Sequence, residues 1–226
     1  MREIVLDTET TGLNFRGGDR IIEVGCVEVI NHVATKNSLQ FYCRTNKKIS
    51  TDAQKISGIS NEFLKDKKTF SEQHLILLNF IKDDPLIIHN AEFDLGFLNN
   101  ELNIIGKAPL RNKIIDTVFL ARKVLNTRIA NLDHLCRRFN IDLTKRKLHG
   151  ALLDAHLLAE VYLELRGGKQ IIMDLKIEEN KHQDFKKNNR LYKNKITLLN
   201  TSEEDITSHK LMVKSIKEAL WNKYNY

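Results

Sequence analysis

Ile4-Val5-Leu6-Asp7-Thr8-Glu9-Thr10-Thr11-Gly12 runs three apolar β-formers straight into two carboxylates set one residue apart, and a glycine closes the run. Strand side chains alternate faces with a period of two, so Asp7 and Glu9 are expected to project the same way. Two like charges side by side repel. A bound hard cation such as Mg²⁺ or Mn²⁺ relieves that repulsion, because such ions favour carboxylate oxygens. The plainer alternative is an edge strand with two solvated acids, and further ligands elsewhere in the chain decide between the two.

The chain has 226 residues, 42% hydrophobic and 29% charged, enough for one ordinary domain with an appendage or for two small domains. A formal net charge of +7 suits a polyanionic partner without requiring one. Cys26, Cys43 and Cys136 are scattered, with no CxxC pair to suggest a disulfide framework or a zinc cluster, and they suit a reducing compartment. Met1-Arg2-Glu3 leads into a strand rather than a signal peptide, and no apolar run approaches the ~20 residues of a membrane span. The expectation is a soluble cytoplasmic protein.

Downstream of Gly12, 20–30 reads as a second strand, Asn31-His32 as a turn and 38–44 as a third strand, an antiparallel meander with the Asp7 strand inside the sheet. The stretch 50–60 reads as helix and turn, and 61–64 as a helical turn. A helix over 71–82 carries Leu75, Leu78 and Ile81 on one face and is broken by Asp83-Asp84-Pro85. Leu86-Ile87-Ile88 is a buried-type strand, with a helix following over 95–102. Residues 113–117 form another strand, before helices over 118–124, 131–139 (Asn131 as cap) and 151–165. Strands first and βα alternation later predict an α/β domain over a mixed sheet. It is expected to span 1–168, followed by a charged linker over 169–200 and a helical tail over 201–226. In the tail, Ser202-Glu203-Glu204-Asp205 reads as an N-terminal cap, with Ile206, Val213, Ile216 and Leu220 near one helical face.

The helix over 151–165 carries an anomaly. Asp154 lies on the same stripe as Leu157, Leu158, Val161 and Leu165, and an ionised carboxylate facing a core is costly unless paired or bound to metal. A first-turn acid favoured by the helix dipole is the plainer account. Asp94 follows an apolar strand and Phe93, at the kind of strand end where α/β sheets place ligands. His149, five residues before Asp154, suits a general base working near neutral pH.

Asp7-x-Glu9-Thr10-Thr11-Gly12, His89-Asn90-x-x-Phe93-Asp94 and His149-x-x-x-x-Asp154, in that order, resemble the three motifs of the DEDD exonuclease superfamily in its histidine branch. Within it, 4–12, 86–97 and Leu148-His149-Gly150-Ala151-Leu152-Leu153-Asp154-Ala155 are similar to the epsilon proofreading subunits of bacterial DNA polymerase III, over roughly residues 2–168. The resemblance implies a ribonuclease H-like sheet flanked by helices and a 3′→5′ exonuclease with two Mg²⁺ or Mn²⁺ ions held by Asp7, Glu9, Asp94 and Asp154. It implies His149 as the base that deprotonates water, a nucleoside 5′-monophosphate as product, and terminal-nucleotide contacts from Thr10 and its neighbours up to Leu13.

Ser57 stands where the family commonly has a histidine, and Asp52 matches an acidic nucleotide-contact position. Both are substrate-binding candidates by position alone. The resemblance also implies docking of the tail (206–221) on the polymerase alpha subunit, a small theta subunit as partner, and clamp contact through Gln170-Ile171-Ile172-Met173-Asp174-Leu175. Two other readings stay open: an RNA-trimming relative with the same motifs, and a non-catalytic polymerase scaffold.

Overall fold

Five strands form one mixed sheet in the order β3-β2-β1-β4-β5, and the reason β1 sits at its centre is written in its side chains. In β1 (Arg2–Thr10), Ile4 and Leu6 enter one hydrophobic core and Val5 enters the other, each fully buried. The short strand β4 (Leu86–Ile88) repeats the division, with Leu86 and Ile88 on one side and Ile87 on the other. Such strands gain from burial on both faces, at about 1.5–3 kcal/mol per large aliphatic side chain. The computed structural model describes residues 1–144, 146, 148–167 and 202–216.

β2 (Ile21–Ile30) pairs antiparallel with β1, and β3 (Val33–Tyr42) antiparallel with β2. Asn31 and His32 both have positive φ, 52° and 69°, the backbone of a two-residue hairpin turn whose twist suits the flanking strands. The turn falls where the sequence placed it, but β3 begins at Val33 rather than Ser38. The tight turn hands the chain directly to its partner, and the solvent-facing residues 33–37 carry no apolar alternation that would mark a strand. β4 runs parallel to β1, and β5 (Ile114–Asp116) parallel to β4.

Helices cover both faces. On one lie α3 (Phe70–Ile81) and α4 (Ala91–Ile104), which contribute Phe70, Leu77, Ile81, Phe97, Leu98 and Leu102 to the first core. The α3 face differs from expectation: Phe70, Gln73, Leu77 and Ile81 are buried, and Leu75 is 58% exposed. Thr69 caps this helix through a reciprocal box with Glu72, and starting the helix at Phe70 sets the buried stripe on 70, 73, 77 and 81. On the other face α5 (Thr117–Leu125), α6 (Leu132–Arg138) and α7 (Ala151–Leu165) close the second core, with Asn131 capping α6 as expected. Two small helices follow, α1 (Thr51–Ser57) and α2 (Asn61–Leu64), and Ile59 of the link between them packs with Leu64 of α2 on Ile22 and Ile49.

The chain divides into two compact units, Met1–Asp174 and Leu175–Tyr226. In the second, α8 (Glu203–Ser215) begins with Ser202 and Asp205 in a capping box, as the sequence reading has it. The helix stops at Ser215. Ile216, assigned by periodicity to the helical face, has extended backbone, φ −88° and ψ 118°. Val213 is buried, and Ile206, Leu211 and Met212 are exposed. The linker over 169–200, the stretch 170–175 and the end of the tail from 217 lie outside the described residues. No helix among the described residues is long and apolar enough to cross a membrane.

Candidate active site

The site is assembled where the end of β1 meets the first turns of α4 and α7. Asp7 and Glu9 alternate along β1 and share a face, and Asp7 pairs in register with Gly25 of β2. Gly25 is there because of close approach. A Cβ on it would lie 2.2 Å from the Ala151 carbonyl carbon, so the start of α7 rests directly on the strand beside Asp7. Gly150 gives α7 no side-chain cap; instead Glu23 of β2 accepts the Ala151 N–H at 3.2 Å, satisfying an otherwise unpaired group. Near its other end, the Tyr162 hydroxyl donates to Glu3 of β1 at 2.9 Å. Pinned at both places, α7 brings Asp154 of its first turn, 4% exposed, over the β1 carboxylates.

Asp94 arrives from the opposite side, in the first turn of α4 and 3% exposed. The chain reverses from β4 into α4 through Asn90, whose φ of 68° is a left-handed conformation asparagine tolerates. Asp116, which caps α5, also accepts the Ala91 N–H at 3.0 Å and so holds the start of α4. The Thr8 hydroxyl donates to Asp94 Oδ1 at 2.6 Å and orients it.

Electrostatics divides the four acids. Burial, then the charges of Asp94, Asp154 and Glu9, push the Asp7 carboxyl well above its ordinary range. Glu9 is pushed up to about 7, by burial and then by Asp154. Burial raises Asp94 to about 7 as well, against the Thr8 hydrogen bond. Asp154 goes the other way. Its burial would raise it, but hydrogen bonds from Arg146 and His149 outweigh that and hold it below the usual carboxylate range.

Arg146 is the residue the sequence reading missed. Its Nε and one terminal nitrogen each donate to Asp154 at 2.6 Å, a bidentate clasp, and its other terminal nitrogen bonds Asp133 at the start of α6. The same guanidinium lies 3.0 Å from His149 Nδ1. In the chain it sits in Thr144-Lys145-Arg146-Lys147, where a basic run reads as a solvated face, and nothing in the run singles out one cation. The available signal is chemical: four converging carboxylates demand positive charge nearby.

His149 is held by its backbone N–H donating to Ile56 O at 3.0 Å, with 45% of its side chain exposed. Its Nδ1 lies 3.3 Å from Asp154 Oδ2, and that hydrogen bond raises its pKa against burial and Arg146. One ligand atom each from Glu9, His149 and Asp154 fall within 4.8 Å of one another. The donor set is hard carboxylate oxygen, and three of its acids resist ionising without added positive charge, which fits a divalent cation.

Beside Glu9 opens a cavity of about 430 Å³, within the range of small-ligand pockets. Thr10, Gly12 and Leu13 line it from the end of β1, Ser50, Asp52, Ala53 and Ile56 from α1 and its cap, and Phe93 from α4. Thr10 and Asp52, two of the substrate-contact candidates, both line this cavity. Ser57 does not. It is buried, its hydroxyl donates to Ala53 O at 2.9 Å and accepts the Ile59 N–H at 3.2 Å, and it is not among the residues that line the cavity. Both hydrogen bonds of the small hydroxyl stay within its own helix and the turn that follows.

The family of sequences described as Exonuclease matches residues 4–162. The DNA polymerase III subunit epsilon of Rickettsia felis is 44% identical over 223 residues, 96% of this chain and 97% of that protein. Its counterpart in Escherichia coli K12 is 38% identical over 235 aligned residues, 97% of each chain. Among solved structures, the nuclease domain of 3′hExo, a DEDDh family member bound to rAMP, superposes with a TM-score of 0.64 at 18% identity, covering 75% of this chain and 94% of that one.

Proposed function

We infer the chemistry from one premise: the chain belongs to the exonuclease family and, within it, to the DNA polymerase III epsilon subunits. It is a metal-dependent 3′→5′ exonuclease that works with DNA polymerase III on DNA. Asp7, Glu9, Asp94 and Asp154 would hold the divalent ions, two of Mg²⁺ or Mn²⁺ in this reading. The observation that carries this reading is the convergence of Glu9, His149 and Asp154 within 4.8 Å, beside the cavity and with Asp7 and Asp94 acting on the same charge cluster.

When bound, the ions supply Lewis acidity for the attacking water and positive charge for the leaving 3′ oxygen. The chain supplies the rest. With Nδ1–H donated to Asp154 Oδ2, the Nε2 of His149 is free to take the proton of water, and its exposure lets that proton pass to solvent. The exposed Leu13 and Ile56 and the neighbouring Phe93 offer apolar surface to the terminal nucleotide, while Thr10 and Asp52 supply polar contacts. The product is a nucleoside 5′-monophosphate. A mispaired end is preferred because it frays more readily into a single-strand site.

The exonuclease domain spans 1–168 in this reading, 169–200 is a linker, and the tail 201–226 docks on the alpha subunit through the apolar residues of α8. A theta subunit and the sliding clamp, reached through Gln170 to Leu175, are the further partners, and the protein works in the bacterial cytoplasm. The full-length match to epsilon subunits extends past residue 168, into the region this reading assigns to the linker and tail.

The test is degradation of a 3′-labelled primer, paired or mispaired, against RNA of the same sequence, with Mg²⁺ and with EDTA. Metal-dependent loss of the DNA terminus, fastest from the mispair, is expected. Faster loss of RNA would move the protein to RNA turnover.

A further inference from the structure

Next to the nucleotide cavity lies a second, larger one of about 540 Å³ with a different character. Arg44, Lys47, Lys48 and Lys65 line it against a single acid, Glu62, and all four cations are exposed. Among the described residues, no ion pair within 4 Å engages Arg44, Lys48 or Lys65. Basic runs usually face bulk water and separate to lower their repulsion. Here they are gathered in a concavity, and the fold keeps them there: the Ile49 N–H donates to Asn61 Oδ1 at 3.1 Å, and the Arg44 N–H to Lys68 O at 2.9 Å.

The two cavities share a wall. Residues 44–48 border the basic groove, and Ser50, Asp52 and Ala53 border the nucleotide cavity. Between them Ser50 donates its N–H to Thr11 O at 2.9 Å, fastening the wall to the end of β1. Lys47 spans the boundary, its ammonium 3.8 Å from an oxygen of Asp19, a residue of the nucleotide cavity.

We propose that this groove is a binding site for the phosphodiester backbone of the DNA strand whose 3′ end enters the catalytic cavity. The inference rests on the exonuclease reading and extends it by a site remote from the reacting phosphate. Successive phosphates set at one charge each match unpaired ammonium and guanidinium groups, and such contacts bind without regard to sequence, as a proofreader requires.

The test uses the full chain with Lys48→Glu/Lys65→Glu, and Lys48→Arg/Lys65→Arg as the charge-preserving pair. Two substrates separate the sites: the p-nitrophenyl ester of thymidine 5′-monophosphate, which fills only the catalytic cavity, and a single-stranded oligonucleotide of about 12 residues, within the span such grooves engage. The Glu pair is expected to leave ester hydrolysis unchanged. It should lower kcat/KM on the oligonucleotide at least tenfold and flatten its logarithmic salt dependence by roughly 1.4, about 0.7 for each lost phosphate contact. The Arg pair should restore both. Unchanged oligonucleotide turnover and salt slope would overturn the proposal, as would a defect seen only in complex with the polymerase, which would assign the groove to an acidic protein surface. Absence of ester hydrolysis in the unmodified chain would instead overturn the exonuclease reading.

Discussion

The two sides of the active site hold the same functional group in opposite electrostatic states. On the α7 side Asp154 is clasped by Arg146 and His149, and its carboxyl sits below the usual range. On the β1 and α4 side, among the described residues, no such clasp is made to Asp7, Glu9 or Asp94; burial drives all three up, reinforced by Asp94 and Asp154 at Asp7, by Asp154 at Glu9 and by Asp116 at Asp94. The chain therefore compensates one carboxylate internally and leaves three to be neutralised from outside. An interior that holds unmet negative charge is poised for a cation, and Arg146 fixes the one of the four carboxylates that also touches His149.

The largest expected effect separates the two sides by stability rather than by activity. Asp7→Asn and Asp154→Asn should both abolish metal-dependent ester hydrolysis. In EDTA the Asp7 variant should melt at or above the unmodified protein, because a repulsive charge is removed. The Asp154 variant should melt lower, because the buried Arg146 loses its bidentate carboxylate and keeps only Asp133. Near-normal turnover in either would sink the metal assignment, and equal melting temperatures would erase the contrast.

His149→Ala should slow turnover by about 10²–10⁴-fold, the usual range for a lost general base, with Mn²⁺ affinity largely kept. Mn²⁺ affinity lost in parallel would make the histidine a ligand instead. Arg146→Met should cost roughly 10–100-fold in activity, as removal of groups that orient ligands does. It should cost about 3 kcal/mol of metal-free stability, measured by urea unfolding, because Asp154 is left buried with only the half-exposed His149 as partner. An unaltered unfolding midpoint would show that the clasp contributes nothing.

The pH responses should also run in opposite directions. Glu9 and Asp94 carry folded pKa values of about 7 against ordinary values of 4.5 and 3.8, so they bind protons more tightly folded than unfolded. Their contribution makes the metal-free protein lose stability as pH rises from about 4 to about 7. Asp154, lowered on folding, contributes stability that is present above its ordinary pKa and lost as pH falls through the depressed one. Metal binding needs the raised acids ionised, so Mn²⁺ affinity should climb through the same window with release of protons. Calorimetric titration in buffers of different ionisation enthalpy measures both, and a flat affinity between about pH 5.5 and 7.5 would contradict the raised values. The smallest effect is Ser57→Ala, expected to leave ester hydrolysis intact and to cost about 1 kcal/mol for its internal hydrogen bonds.

Much of this site is legible in one dimension because the periods of regular structure are fixed. A period of two put Asp7 and Glu9 on one face, and a period near four put Asp154 on the apolar stripe of α7. The same rule misplaced the α3 face, since Leu75 and Leu77 are both apolar and only the start at Phe70 sets which is buried. β3 escaped in part because an exposed edge strand needs no alternation. Ser57 was placed by correspondence with a family position, and correspondence does not say where a short hydroxyl finds its acceptor.

The sequence by itself determined the order of elements, the five catalytic candidates and the cap that begins α8, because each depends on neighbours a few residues away. Only the tertiary structure decided which acids are compensated, because that depends on groups brought together from distant elements. Gly25 admits α7 onto the sheet, Arg146 reaches both Asp154 and Asp133, and the groove of Arg44, Lys48 and Lys65 lies beside the cavity next to Glu9. Charge acts through space and burial, and neither is written along the chain.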